Sequence, residues 1–217
     1  MSAAMQKRQD ALESMMRAAP VVAVVVIGKL GDAIPLARAL VAGGIHAIEI
    51  TLRTPVALDA IRAVAAEVDG AIAGAGTVLT AADLHAAEDA GARFGVSPGT
   101  SPALLAALEK STLPFLPGSA TASEALALFE RGYRLQKFFP AEPAGGVEYL
   151  RAVHGPLPGI GFCPTGGIRA ATAANYLALP NVVCVGGSWL SPADLVRAED
   201  WKAITASARA AALLRGR

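Results

Sequence analysis

Eight short apolar runs recur along the chain, at residues 21–27, 47–51, 71–75, 93–96, 115–117, 135–139, 161–164 and 182–185. None alternates clearly between apolar and polar residues, so each reads as a strand buried on both faces, the pattern of parallel sheets. Between them lie alanine- and leucine-rich segments of helical spacing. Most open on a start signal: Asp32, Thr54-Pro55, Thr80, Ser101-Pro102, Thr121 with Glu124 three residues on, and Ser191-Pro192. Several close on glycine, at Gly43-Gly44, Gly91 and Gly132, which suits a left-handed cap. Eight such alternations in about 200 residues predict an α/β fold, a closed (β/α)8 TIM barrel, with residues 6–18 as an extra N-terminal helix over its floor. An open doubly wound sheet is the alternative. It is disfavoured because Ile27-Gly28-Lys29-Leu30-Gly31-Asp32 lacks the spacing of a dinucleotide-binding turn. No linker interrupts the pattern, so residues 1–217 read as one domain.

Composition narrows the function classes. The chain is 53% hydrophobic and 17% charged, too apolar for disorder. Its 19 basic and 18 acidic residues are spread along the chain, without the basic stripe that nucleic acid requires. The longest apolar stretch, 18–27, is far short of a membrane span. Lys7 and Arg8 precede it, but Asp10, Glu13 and Arg17 intervene and no small-residue cleavage site follows, so the expected location is cytoplasmic. Cys163 and Cys184 are too few for a disulfide framework and sit in apolar runs, as buried thiols do.

Within the strands, a few polar residues stand out. In Ala47-Ile48-Glu49-Ile50-Thr51-Leu52-Arg53, Ile48 and Ile50 suit packing against outer helices, which turns Glu49 and Thr51 inward and leaves Arg53 just beyond the strand. In Leu135-Gln136-Lys137-Phe138-Phe139, Lys137 shares a face with Leu135 and Phe139, so it would sit across the interior from Glu49. The two could form a structural ion pair. The chemical reading has more support, because an arginine would serve equally well in such a pair, whereas only lysine can attack a carbonyl. Of the five lysines, Lys7, Lys110 and Lys202 look like exposed helix residues and Lys29 like a solvated loop residue. Desolvation and a nearby positive charge, which Arg53 could supply, favour the reactive unprotonated amine.

Two glycine pairs give an independent signal. Cys163-Pro164-Thr165-Gly166-Gly167-Ile168 ends the seventh strand and Val185-Gly186-Gly187-Ser188-Trp189 the eighth. In the predicted fold these ends commonly bind phosphate through backbone N–H groups. Each pair alone could merely permit a tight turn. Their coincidence, with the Ser188 hydroxyl, points to a phosphorylated substrate.

Six motifs in order, Glu49-Ile50-Thr51-Leu52-Arg53-Thr54, Gly74-Ala75-Gly76-Thr77-Val78, Ser97-Pro98-Gly99, Lys137-Phe138-Phe139-Pro140-Ala141-Glu142, Cys163-Pro164-Thr165-Gly166-Gly167-Ile168 and Gly186-Gly187-Ser188-Trp189-Leu190, closely resemble the 2-keto-3-deoxy-6-phosphogluconate (KDPG) aldolase and 4-hydroxy-2-oxoglutarate (KHG) aldolase family. The resemblance runs over residues 20–190. It implies a homotrimeric class I aldolase of the Entner–Doudoroff pathway that cleaves a phosphorylated 2-keto-3-deoxy sugar acid to pyruvate and glyceraldehyde 3-phosphate, without cofactor or metal. It assigns Lys137 as the Schiff-base lysine and Glu49 as the proton-transfer group. Arg53 and Thr77 would hold the pyruvate carboxylate, and Gly166, Gly167 and Ser188 the phosphate, with Thr165 also on the substrate. Pro98 and Phe139 would shape the wall. Pro143 departs from the usual pattern, in the loop after the sixth strand.

Two rivals remain open from the residues. A metal-dependent aldolase would need a ligand cluster, whereas His46, His85 and His154 are isolated and the cysteines lack further zinc ligands. A barrel binding a sugar phosphate without covalent chemistry would keep both glycine loops and need no lysine amine. The galactonate-derived isomer of the substrate is a further alternative, differing at one stereocentre that motif residues do not report.

Overall fold

The computed structural model describes residues 2–214, so Met1 and residues 215–217 of the expected single domain lie outside it. Strand and helix alternate in the order α1 (Ala3–Arg17), β1 (Val21–Val25), α2 (Ala33–Ala42), β2 (Ala47–Thr51), α3 (Ala57–Glu67), β3 (Ile72–Gly76), α4 (Ala81–Asp89), β4 (Phe94–Val96), α5 (Pro102–Leu108), β5 (Phe115–Leu116), β6 (Gly118–Ser119), α6 (Ala122–Glu130), β7 (Leu135–Phe138), α7 (Gly146–His154), β8 (Gly161–Pro164), α8 (Ala170–Leu177), β9 (Val185–Gly187), α9 (Ala193–Arg197) and α10 (Trp201–Ala212).

The expected closed eight-stranded barrel does not form. Every strand pairing is parallel, but the strands divide into a six-stranded half-barrel sheet, ordered β5-β4-β3-β2-β1-β9, and a three-stranded sheet, ordered β6-β7-β8. Proline explains both seams. The fifth apolar run is split at Pro117, which has no N–H to donate and separates β5 from β6. On the other side, β8 ends at Pro164, and only isolated bridges, Phe162 to Val182 and Thr165 to Gly186, join it to the chain leading into β9.

Helix starts follow side-chain caps where these exist. Thr80 with Asp83 and Thr121 with Glu124 form reciprocal capping boxes, and Ser101 accepts from the Leu104 N–H with Pro102 in the first turn. The Thr54-Pro55 signal does not start a helix. The Thr54 hydroxyl donates to the Ile27 carbonyl at 2.7 Å instead, and α3 begins at Ala57. Gly44, Gly91 and Gly132 take φ of 88°, 83° and 94° at helix ends, where a side chain would be strained.

Strand alternation sorts the apolar residues into two groups. Ile48, Ile50, Phe138 and Phe162 face outward and pack with Leu36, Leu40, Ile61 and Val64 of the helices. Val22, Ala47, Phe94, Leu116, Leu135, Cys163 and Cys184 face inward, where Leu12 and Met16 of α1 join them, fully buried. Each such side chain contributes about 1.5–3 kcal/mol through burial. The leading helix therefore stoppers the interior at the amino ends of the strands. Gln9, also of α1, accepts from the Arg134 and Leu135 N–H groups at 3.0 and 3.3 Å, where β7 begins.

Candidate active site

Above that apolar floor the inward positions turn polar. Lys137 on β7 extends across the interior and donates to Glu49 on β2, with Nζ 3.1 Å from Oε1 and 3.4 Å from Oε2. The two side chains are 6% and 4% exposed. Two charges taken out of water at this depth cost several kcal/mol before their attraction is counted. Such a pair is a poor device for stability alone. The ring of Phe139 flanks the amine, its centroid 5.5 Å from Nζ.

Neighbouring glycines make room for the pair. In the β2–β3 register Glu49 lies opposite Gly74 and Thr51 opposite Gly76. A Cβ on Gly76 would collide with the Glu49 carboxylate, while the space beside Gly74 is taken by the Phe94 ring. On the lysine side, Gly118 pairs with Lys137, and a Cβ there would strike the Pro98 carbonyl. Sequence reasoning missed Gly74, Gly76 and Gly118 as site determinants. The signal was present for the first two, since glycines two apart share the strand face of Glu49 and Thr51 next door.

The remaining predicted residues gather at the carboxyl ends of the strands. Arg53 follows β2 and Thr77 follows β3, with Arg53 Nη2 3.5 Å from Thr77 Oγ1. Arg53 is exposed, so its remaining donors are accessible. Gly166 and Gly167 take φ of 103° and 83°. A Cβ on Gly166 would press on the Phe139 ring at 3.2 Å, and one on Gly167 would strike Glu142 at 2.7 Å. This loop, with Phe139, Pro143, Arg169 and Thr172, lines an open cavity of about 560 Å3. Thr165 is buried, its side chain filling the space where Gly186 has none. Ser188 is exposed beyond β9 and does not line the cavity beside Gly166 and Gly167. Pro98 is half-buried over Gly118.

Two further residues brace this region. Arg169, which precedes α8, adds a guanidinium to the glycine-loop cavity; its place one residue after the quoted motif was the available signal. Tyr176 of α8 donates to Glu142 Oε1 at 2.7 Å, and burial together with that bond pushes the phenol well above its usual range. It therefore stays protonated and keeps the loop after β7 tied to α8. Among the described residues no three His, Cys, Asp or Glu side chains gather as a metal-binding group. Nor is any helix among them long and apolar enough to cross a membrane.

Residues 12–207 match the family described as KDPG and KHG aldolase. The chain belongs to this family. The KHG/KDPG aldolase of Escherichia coli (strain K12) is 49% identical over 207 residues, covering 95% of this chain and 97% of that protein. The KDPG aldolase of Legionella pneumophila, whose crystal structure holds pyruvate captured at low pH as a covalent carbinolamine intermediate, superposes with a TM-score of 0.90 and 46% identity, over 93% of this chain and 98% of that one. The 2-keto-3-deoxy-6-phosphogluconate aldolase of Zymomonas mobilis ZM4, solved with 3-phosphoglycerate, gives a TM-score of 0.90 and 44% identity, over 94% of this chain and 96% of that one. A carbinolamine is an amine added to a carbonyl carbon, and in this member of the KDPG and KHG aldolase family the buried interior amine is Lys137.

Proposed function

We propose that the protein is a class I aldolase, a lyase that cleaves 2-dehydro-3-deoxy-6-phosphogluconate to pyruvate and D-glyceraldehyde 3-phosphate, and 4-hydroxy-2-oxoglutarate to pyruvate and glyoxylate. The observation that carries the reading is the buried contact between Lys137 Nζ and Glu49 at 3.1 Å. A desolvated amine beside a carboxylate has both a nucleophile and a proton relay in one place.

In the forward direction the Lys137 amine adds to the substrate C2 ketone, and Glu49 passes a proton to the new hydroxyl. Loss of water leaves a protonated imine, which draws electrons from C3. Deprotonation of the 4-hydroxyl breaks the C3–C4 bond and releases the aldehyde. The resulting enamine takes a proton at C3, and water then frees pyruvate and regenerates the amine. Glu49 as proton carrier accounts for roughly 10² to 10⁴ in rate. Arg53 with Thr77 holds the carboxylate so that C2 lies over Nζ. The loop at Gly166 and Gly167 holds the phosphate, aided by Thr165 and Ser188, while Phe139 and Pro98 wall the site. For Arg53, Gly166, Gly167 and Ser188 this assignment rests on residue type, accessibility and the left-handed backbone at the glycine pair, and for the buried Thr165 on the family motif alone.

For the wider setting we extend what the resemblance implies. We place the enzyme in the cytoplasm and in the Entner–Doudoroff pathway, acting as a homotrimer of one-domain subunits without a cofactor. Incubation with pyruvate and borohydride, followed by peptide mass mapping, tests the chemistry: a reduced pyruvyl adduct is expected on Lys137, and an adduct on another lysine would overturn the site. Comparing turnover of the gluconate- and galactonate-derived phosphates fixes the stereochemical preference, with the gluconate compound expected to be faster.

A further inference from the structure

The glycine loop after β8 offers a substrate backbone N–H groups and no formal charge, whereas a phosphate monoester carries close to two negative charges at neutral pH. Such an anion is held more firmly and more selectively where a guanidinium joins the N–H groups. Arg169 stands two residues after Gly167, is exposed, and lines the same cavity of about 560 Å3 as Gly166 and Gly167. Among the described residues that line this cavity it is the one cation, and Glu142 is the one acid. Tyr176 already engages Glu142, donating to Oε1 at 2.7 Å.

The Arg169 guanidinium is available. Arg62, Arg131, Arg134 and Arg151 each pair with an acid, but no carboxylate among the described residues pairs with Arg169. Its main chain is fixed without help from the side chain. The Arg169 N–H donates to Thr172 Oγ1 at 3.1 Å, and the Thr172 hydroxyl donates back to the Arg169 carbonyl at 3.3 Å. Phe139 links this cavity to the amine, since its ring lies 5.5 Å from Lys137 Nζ and also forms part of the cavity wall. A substrate joined to Nζ at C2 thus passes the ring before its far end meets Arg169. In the phosphorylated sugar acid that far end lies beyond C6; in 4-hydroxy-2-oxoglutarate it is the C5 carboxylate, which stops short.

We propose that Arg169 is a specificity-determining residue, whose guanidinium binds the substrate phosphate beside Gly166 and Gly167 and so selects phosphorylated 2-keto-3-deoxy acids over 4-hydroxy-2-oxoglutarate. This inference rests on the aldolase reading above and adds to it a residue outside the six sequence motifs. Arg169 touches neither the amine nor the reacting carbons, so it acts on affinity for one substrate class and leaves the bond-breaking step alone.

The test compares the full-length wild type with Arg169→Gln and Arg169→Lys. In calorimetric titration with glycerol 3-phosphate, Arg169→Gln is expected to bind about tenfold more weakly than wild type, and Arg169→Lys, which keeps the charge, to fall between them. In steady-state assays Arg169→Gln should raise KM for the gluconate-derived phosphate about tenfold with kcat within about twofold, and leave kcat/KM for 4-hydroxy-2-oxoglutarate within about twofold. Its kcat/KM for the phosphate should also vary less with salt. A purely structural role would lower both substrates together. Equal loss on both substrates overturns the proposal, as does glycerol 3-phosphate binding that is unchanged in Arg169→Gln or absent from wild type at millimolar concentration. Trapping of pyruvate on Lys137 separates the two readings: no adduct in wild type fails the aldolase assignment, whereas a normal adduct with unchanged phosphate affinity fails Arg169 alone.

Discussion

Lys137 Nζ lies 3.1 Å from Glu49 Oε1 although 88 residues separate them in the chain, and the two come from strands of different sheets. Neither group is near a sheet edge that water could reach. The pair spans the interior like a strut between the six-stranded and three-stranded sheets, so any change at one end is felt at the other.

Lys137→Arg keeps the positive charge opposite Glu49 and removes the buried amine that the proposed mechanism adds to the ketone. Its kcat is expected to fall by at least about 10³-fold, with no borohydride-trapped pyruvate by mass spectrometry. Lys137→Met leaves a buried carboxylate without its partner, and denaturant unfolding is expected to show a loss of about 3–5 kcal/mol as well.

Glu49→Gln retains a hydrogen-bonding side chain of the same shape and loses the carboxylate proposed to carry the proton. Turnover should fall roughly 10² to 10⁴-fold while Lys137 can still be trapped by pyruvate and borohydride on a slower time course. Trapping at the wild-type rate would show that the carboxylate does not serve the proton transfers of imine formation.

Gly76→Ala places a methyl group against the Glu49 carboxylate. The carboxylate must move away from Nζ or the strand must shift, at a cost of about 1–3 kcal/mol in stability. Activity should drop more than the unfolding midpoint suggests, approaching that of Glu49→Gln in a steady-state assay.

Tyr176→Phe removes the donor to Glu142 Oε1. Because the folded protein holds the Tyr176 phenol protonated well above its ordinary value near 10, the unfolded chain releases that proton first as pH rises. Wild-type stability is therefore expected to fall from about pH 10 upward, and Tyr176→Phe to show less of that alkaline loss in unfolding measured across pH. Below about pH 9 the variant should be less stable by about 1–3 kcal/mol through the lost bond to a carboxylate.

Leu12→Ala empties part of the stopper at the amino ends of the strands. A fully buried leucine replaced in this way costs about 2–5 kcal/mol, readable as a shift in the denaturant midpoint without a change in the pyruvate adduct on Lys137.

Much of this arrangement was legible in the residues because strand periodicity is local. Alternation alone turned Glu49 and Lys137 inward and Ile48 and Ile50 outward, and the structure places them so. Sheet closure was not legible, because it depends on hydrogen bonds between distant strands. Pro117 and Pro164 were read as the ends of apolar runs, and their missing N–H groups at the seams became visible only once the partners were known. The same holds for Gly76 and Gly118, whose bareness matters only because Glu49 and Pro98 approach from other segments. Thr54-Pro55 failed as a helix start for a similar reason: Ile27, far off in sequence, claims the Thr54 hydroxyl.

Gln9 binds the backbone at Arg134 and Leu135 across a separation of 125 residues in the first case. A ribosome releases α1 long before the segment that this glutamine grips. Leu12 and Met16 can meet Val22, Ala47 and Phe94 of their cluster early, but the Gln9 bonds wait until β7 emerges. Birth order and docking order differ for this helix, and the strand that carries Lys137 completes its seating.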